Sequence, residues 1–187
     1  MVWKLNHGSR SKVAEKMSER HQNRRDEVAE LVAAWRRERP DLDIAPLEVL
    51  SRITRLARQL DIARRAAFAE HGLETWGFDV LAALRRIGAP YQLTPGQLIH
   101  ENLVTSGTIT NRLDRLESDG LLARYPDPSD GRGTLVRITE KGIKVVDAAL
   151  VDLLDREKEL LLSLKRNERD ELAGYLSRML EEIESAN

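Results

Sequence analysis

Residues 93–139 read LTPGQLIHENLVTSGTITNRLDRLESDGLLARYPDPSDGRGTLVRIT, and the turn and cap residues within them decide the fold. Thr94 before Pro95 supplies a helix N-cap followed by proline at the first helical position, so a short helix opens there and runs to about Glu101. A brief turn over 102–104 leads to a second helix, Ser106 to about Ser118, which Asp119-Gly120 closes. Residues 121–125 then read as a strand, 126–133 as a polar turn, and 134–139 as the return strand, with Leu135, Val136 and Ile138 as its apolar content. Two short helices joined by a tight turn, then a strand pair, describe a winged helix-turn-helix that is mainly α with a small β wing.

Upstream of this stretch, Val28, Leu31, Val32 and Trp35 fall at i, i+3, i+4 and i+7, one face of an amphipathic helix that Pro40 ends. A start at Pro46 leads into Val49, Ile53, Leu56 and Leu60, a second helix that reaches about Glu70 before His71-Gly72 stops it. Thr75 is placed to cap a third helix through about Ile87, with Val80, Leu81, Leu84 and Ile87 as its buried stripe and Gly88-Ala89-Pro90 as its end. Downstream, Thr139 caps a long helix through about Leu164. Asn167 with Asp170 resembles a capping box for a last helix carrying Leu172, Tyr175, Leu176, Met179, Leu180 and Ile183 on one side. The apolar surface of 143–162 is too wide for one neighbour, so a second copy of the chain is its natural cover, in a two-fold homodimer built from the N- and C-terminal helices. The expected organisation is a basic arm over 1–24, N-terminal helices over 25–72, a winged helix-turn-helix domain over 73–140, and dimerisation helices over 141–187.

The chain of 187 residues suits one domain with appended helices, and 41% hydrophobic with only 4% aromatic residues fits aliphatic helix packing. The net charge of −1 points to no nucleic-acid or membrane partner by itself, so DNA affinity has to come from local placement. The lack of cysteine removes disulfides, thiolate zinc sites, cysteine nucleophiles and thiol-based sensing. No apolar run approaches the roughly 18 residues of a membrane helix, and the basic start lacks the apolar core of a secretory signal, so a cytoplasmic location is expected. Lys4, Arg10, Lys12, Lys16, Arg20 and Arg24 of the arm read either as a solvated extension or as phosphate contacts. His7, His21, His71 and His100 lack metal-ligand spacing, and there is no phosphate loop or nucleophile elbow. No enzyme activity, cofactor or metal is expected.

On the helix from Ser106, with about 100° per residue, Ile109, Leu113 and Leu116 form the buried stripe, while Gly107, Thr108, Thr110, Asn111 and Arg115 face away. Hydroxyls, an amide and an arginine suit base edges in a major groove, and the helix N-terminus at Ser106 favours a phosphate. Arg132, between two glycines at the tip of the wing, suits a minor groove or is simply solvated. Arg112 lies about 60° from the centre of the buried stripe, at the edge of the core. A half-buried arginine there wants an anion, either a carboxylate of the same chain or a ligand. Arg124, on the first wing strand, poses the same choice.

With the Asp-Pro-Ser-Asp-Gly-Arg-Gly wing and the Ile-Thr-Glu-Lys-Gly exit in place, residues 47–183 resemble the MarR family of transcriptional regulators. The stretch Ala34-Trp35-Arg36-Arg37-Glu38-Arg39-Pro40-Asp41-Leu42-Asp43 looks like the extra N-terminal helix of the urate-responsive, PecS-like branch. The resemblance implies an effector site shaped by Trp35, Asp79, Arg112 and Arg124, and urate or another planar anionic purine as effector. Read without it, Trp35 belongs to a core stripe and Asp79 favours its helix N-terminus through the dipole. The function expected is a DNA-binding regulator, in the sense of a repressor, that holds a pseudo-palindromic operator in double-stranded DNA and releases it on binding a small anionic effector. A phenolic or nucleotide effector and a helical adaptor that binds only protein are the alternatives.

Overall fold

In the computed structural model, which describes residues 26–102, 105–128 and 133–185, the chain divides into two units between Gln59 and Leu60. This division is by compactness, whereas the segments expected from the sequence are divided by role, and the arm over 1–24 lies outside the described residues. In the N-terminal unit the Asp26 carboxylate accepts from the backbone N–H groups of Val28 (3.0 Å) and Ala29 (3.3 Å), which opens helix α1, Glu27–Glu38. Helix α2, Ala45–Ala69, starts one residue before Pro46, where Ala45 N–H donates to the Asp43 carboxylate at 3.0 Å. Arg52 pairs with Asp26 and Glu48, and Arg36 with Glu48 at 2.9 Å. These pairs are exposed and screened by solvent, so they add little to stability. Val28 and Val32 are buried as their spacing requires, but Leu31 and Trp35 are not, and Trp35 is 48% exposed. Trp35 shares the direction of the stripe but sits in the last turn of α1, beyond the buried pair, so it is not a core residue of this chain.

The C-terminal unit holds the main core. Helix α2 ends where His71 and Leu73 donate to the Phe68 carbonyl and Gly72, at φ +69°, donates to the Ala69 carbonyl. Helix α3, Thr75–Arg86, has Glu74 rather than Thr75 at its N-cap, with no side-chain cap bond, because the Glu74 carboxylate is engaged elsewhere. Val80, Leu81 and Leu84 are buried, but Ile87 is past the end of the helix and 59% exposed. Phe78 stacks on Phe68 of α2 with ring centroids 4.0 Å apart. Strand β1, Gln92–Leu93, is followed by helix α4, Pro95–Asn102, opened by a capping box: Gln97 N–H donates to Thr94 Oγ1 (3.2 Å) and Thr94 N–H to Gln97 Oε1 (2.8 Å).

Helix α5, Ser106–Ser118, lays Ile109, Leu113 and Leu116 against this core. Strands β2, Leu122–Pro126, and β3, Thr134–Ile138, are antiparallel and pair Leu122 with Ile138 and Arg124 with Val136. Strand β1 adds to the other edge of β3, Gln92 facing Arg137, which makes a three-stranded sheet in the order β1-β3-β2. Two residues are too few to show alternation, and the sequence reading had no third strand.

Helix α6, Glu140–Leu160, starts at a Thr139 cap whose hydroxyl accepts from Gly142 N–H at 3.0 Å. It stops four residues short of the expected Leu164, and helix α7 runs Arg166–Ser185. Its start is fastened by Lys165 N–H donating to the Glu168 carboxylate (2.6 Å), three residues ahead, instead of by Asn167 with Asp170. Arg85 of α3 pairs with Asp147 of α6 at 3.0 Å, and His71 with Asp152 at 2.6 Å. No helix among the described residues is long and apolar enough to cross a membrane.

The entry to α6 also mounts the end of α5. Lys141 Nζ donates to the Asp119 carbonyl (2.7 Å), Thr139 Oγ1 to the Gly120 carbonyl (2.8 Å) and Thr139 N–H to the Leu121 carbonyl (3.0 Å). Gly142 completes this clasp by close approach: a Cβ there would stand 2.1 Å from the Leu121 carbonyl oxygen and 2.7 Å from Ile138 Cγ1. Only glycine fits.

Candidate nucleic-acid interface

Helix α5 buries one face and shows the other. Gly107, Thr108, Thr110, Asn111 and Arg115 are exposed, which is the face expected to read bases. Ser106 begins the helix behind the Thr105 N-cap, whose side chain makes no cap bond, and no acidic residue lies in the first turn. The positive end of the helix dipole favours an anion there. The Thr105 and Thr108 hydroxyls bond to each other at 2.9 Å. The wing turn is closed by Asp127 N–H donating to the Gly133 carbonyl (2.9 Å), while Arg132 lies outside the described residues.

Arg115 is held from behind. Its Nη2 pairs with Glu74 Oε1 at 2.6 Å, and its guanidinium lies over the Trp76 ring, 5.3 Å from the centroid. The other Glu74 oxygen accepts the Trp76 indole N–H at 2.7 Å. That indole bond and then Arg115 hold the Glu74 carboxyl below the usual carboxylate range. The sequence reading missed Glu74 and Trp76. A tryptophan two residues after an acid at a helix start was the available signal, but its partner on α5 is about 40 residues away.

Of the four residues expected to shape an effector site, the structure brings two together. Arg112 is half-buried beside the Trp76 ring (5.7 Å to the centroid), and its charge acts on Asp79. Asp79 accepts from Arg64 Nη2 at 3.3 Å. Burial pushes its carboxyl above the ordinary value, against the opposing pull of Arg64, Arg112 and Arg86. Asp79 is the fifth residue of α3, which has no acid in its first turn, so the dipole reading of Asp79 fails. Arg86 also pairs with Glu101 (3.2 Å), and three guanidinium groups, those of Arg64, Arg112 and Arg86, act on the single carboxylate of Asp79.

Arg124 goes elsewhere. Its Nη1 pairs with Glu117 (2.6 Å), its Nη2 with Asp114 (2.7 Å), and its backbone N–H donates to Glu117 (3.0 Å), which ties the wing to α5. Glu117 is about 140° round α5 from Arg112, so the two arginines occupy opposite flanks of that helix. Trp35 stands in the N-terminal unit, on α1. The described residues contain no group of three or more His, Asp or Glu that could hold a metal ion.

The MarR family model matches residues 71–133, from the turn after α2 to the end of the wing turn. The regulator PecS of Dickeya dadantii is 35% identical over 153 residues, covering 82% of this chain and 92% of that protein. The transcriptional repressor NicR of Pseudomonas putida is 29% identical over 149 residues, 78% of this chain and 92% of its own. A crystal structure of a mutant MarR from E. coli in complex with operator DNA superposes with a TM-score of 0.62 at 29% identity, covering 73% of this chain and 95% of that one. Glycine and cap positions that build the clasp, a polar outer face on α5, and 35% identity to PecS over four-fifths of the length lead to one assignment: the chain belongs to the MarR family of transcriptional regulators.

Proposed function

We propose that the protein binds a pseudo-palindromic operator as a homodimer, represses from it, and releases it when a small planar anion binds. The observation that carries the reading is the exposed face of α5, where Thr108, Thr110, Asn111 and Arg115 stand clear of a core that holds Ile109, Leu113 and Leu116. Such a face placed in a major groove reads base edges, with Ser106 at the phosphate end and Arg132 at a minor groove. A second subunit is called for by α7, 20 residues long without one buried side chain, and by Leu150, Val151 and Leu154 exposed on α6. These three side chains are already about half covered, so burying the remainder contributes about 1 kcal/mol each.

The effector reading rests on the excess of guanidinium around Asp79. An anionic purine such as urate, held by Arg112 beside Asp79, would draw on an arginine of α5 itself. Release follows if the ligand prefers a state that does not bind DNA, since a ligand indifferent to the two states shifts nothing. A phenol or nucleotide would use the same positive corner.

The test is a titration of the protein onto labelled duplex from upstream of its own gene, followed by anisotropy with and without urate. Tight, salt-dependent binding reversed by urate in the parent and not in Arg112→Ala is the expected result. Binding indifferent to urate discards that effector, and no binding at low salt discards the DNA reading.

A further inference from the structure

Arg115 is the one long cation on the outer face of α5, and a free arginine side chain carries about 2 kcal/mol of rotamer entropy that must be surrendered on contact with a base. Here that freedom is already restricted. Glu74 Oε1 takes one edge of the guanidinium at 2.6 Å, and the Trp76 ring lies under its face at 5.3 Å. Trp76 is itself partly buried against the core and donates its indole N–H to Glu74 Oε2 at 2.7 Å, so both carboxylate oxygens are engaged and the acid is fixed in turn. The pair is exposed, with 64% of the Arg115 side chain and 54% of the Glu74 side chain open to solvent. The structure gives the remaining N–H groups of Arg115 no acceptor among the described residues, and the residue itself shares a helix face with Thr108 and Asn111 by its spacing.

We propose that Glu74 and Trp76 are positioning residues that hold Arg115 with its unused N–H edge presented to an acceptor pair on a base, so that they set sequence preference at one operator base pair without touching it. The acceptor chemistry that fits is two neighbouring acceptors, as on the major-groove edge of guanine. The proposal rests on the DNA-reading assignment above. A carboxylate that only braced the fold would leave base preference untouched, and one that only repelled phosphates would lower affinity for all sequences alike.

The experiment begins with selection of duplexes from a randomised library by the parent protein, then measurement of Kd for the selected duplex and each single base-pair change. Parent, Arg115→Ala, Glu74→Gln and the double variant are compared. The expected result is that Arg115→Ala erases a preference of about tenfold or more at one base pair. Glu74→Gln should weaken preference at that same pair about three- to tenfold through lost preorganisation, with the other positions unchanged, and add nothing once Arg115 is gone. Glu74→Gln binding every duplex more tightly by one factor, in both backgrounds, would overturn the proposal in favour of plain charge repulsion. An unaltered profile would overturn it outright. A library from which the parent enriches nothing would overturn the DNA reading first and this inference with it.

Discussion

Gly142→Ala should separate helix α5 from its mount. A Cβ at residue 142 would lie 2.1 Å from the Leu121 carbonyl oxygen, whereas an ordinary carbon–oxygen contact is about 3.3–3.6 Å, so something must move by more than about 1 Å. The obstacle is backbone, and that carbonyl already accepts from Thr139 N–H at 3.0 Å, so the shift breaks a bond of the clasp. Overpacking costs about 1–3 kcal/mol and the lost hydrogen bond about 1 kcal/mol, offset by up to about 1 kcal/mol from the better helix propensity of alanine. A net loss of about 1–3 kcal/mol lowers Tm by roughly 2–12 °C in a chain of this size. Thermal unfolding at fixed protein concentration reads this directly, and amide exchange should accelerate over the end of α5. Gly107→Ala is the control, because a Cβ there meets nothing within 4 Å and Tm should hold or rise. A Gly142→Ala variant that melts with or above the parent would refute the argument.

Thr94→Ala removes the acceptor of the α4 capping box and should cost about 1 kcal/mol by denaturant unfolding. Asp79→Asn tests the sign of a pKa shift. Burial raises the folded-state pKa of Asp79, so its stabilising contribution is present at acid pH and lost as pH rises through that raised value. The melting temperature of the asparagine variant relative to the parent should therefore climb between acid and neutral pH, and a falling difference would mean that the surrounding arginines outweigh burial. Leu154→Arg places a charge on a side chain 45% exposed in the single chain, so it should leave the fold intact while shifting sedimentation from dimer toward monomer.

What the sequence made legible is what is decided within a few residues. The Thr94-Pro95 start, the Thr139 cap and the Ile109, Leu113, Leu116 stripe are local, and the structure has all three. The wheel also placed Arg112 at the core edge from spacing alone, and it is half-buried. The errors arise where a partner is distant or an element too short for a period. β1 exists only because β3 offers an edge to two residues, and Glu74 caps without a side-chain bond because Trp76 and Arg115 claim its carboxylate. Nothing local in the sequence tells that Arg64 of α2 meets Asp79, or that Arg124 spends its donors on Asp114 and Glu117.

The clasp at the end of the recognition helix grips three main-chain carbonyls, those of Asp119, Gly120 and Leu121. Every amino acid carries that carbonyl, so the mount does not depend on the identity of the side chains that project from the outer face of α5. A substitution on that face, at Asn111 for example, therefore leaves the clasp intact, and the helix keeps its bearing. In this chain the part that is held, the main chain at the end of α5, is distinct from the side chains that face outward.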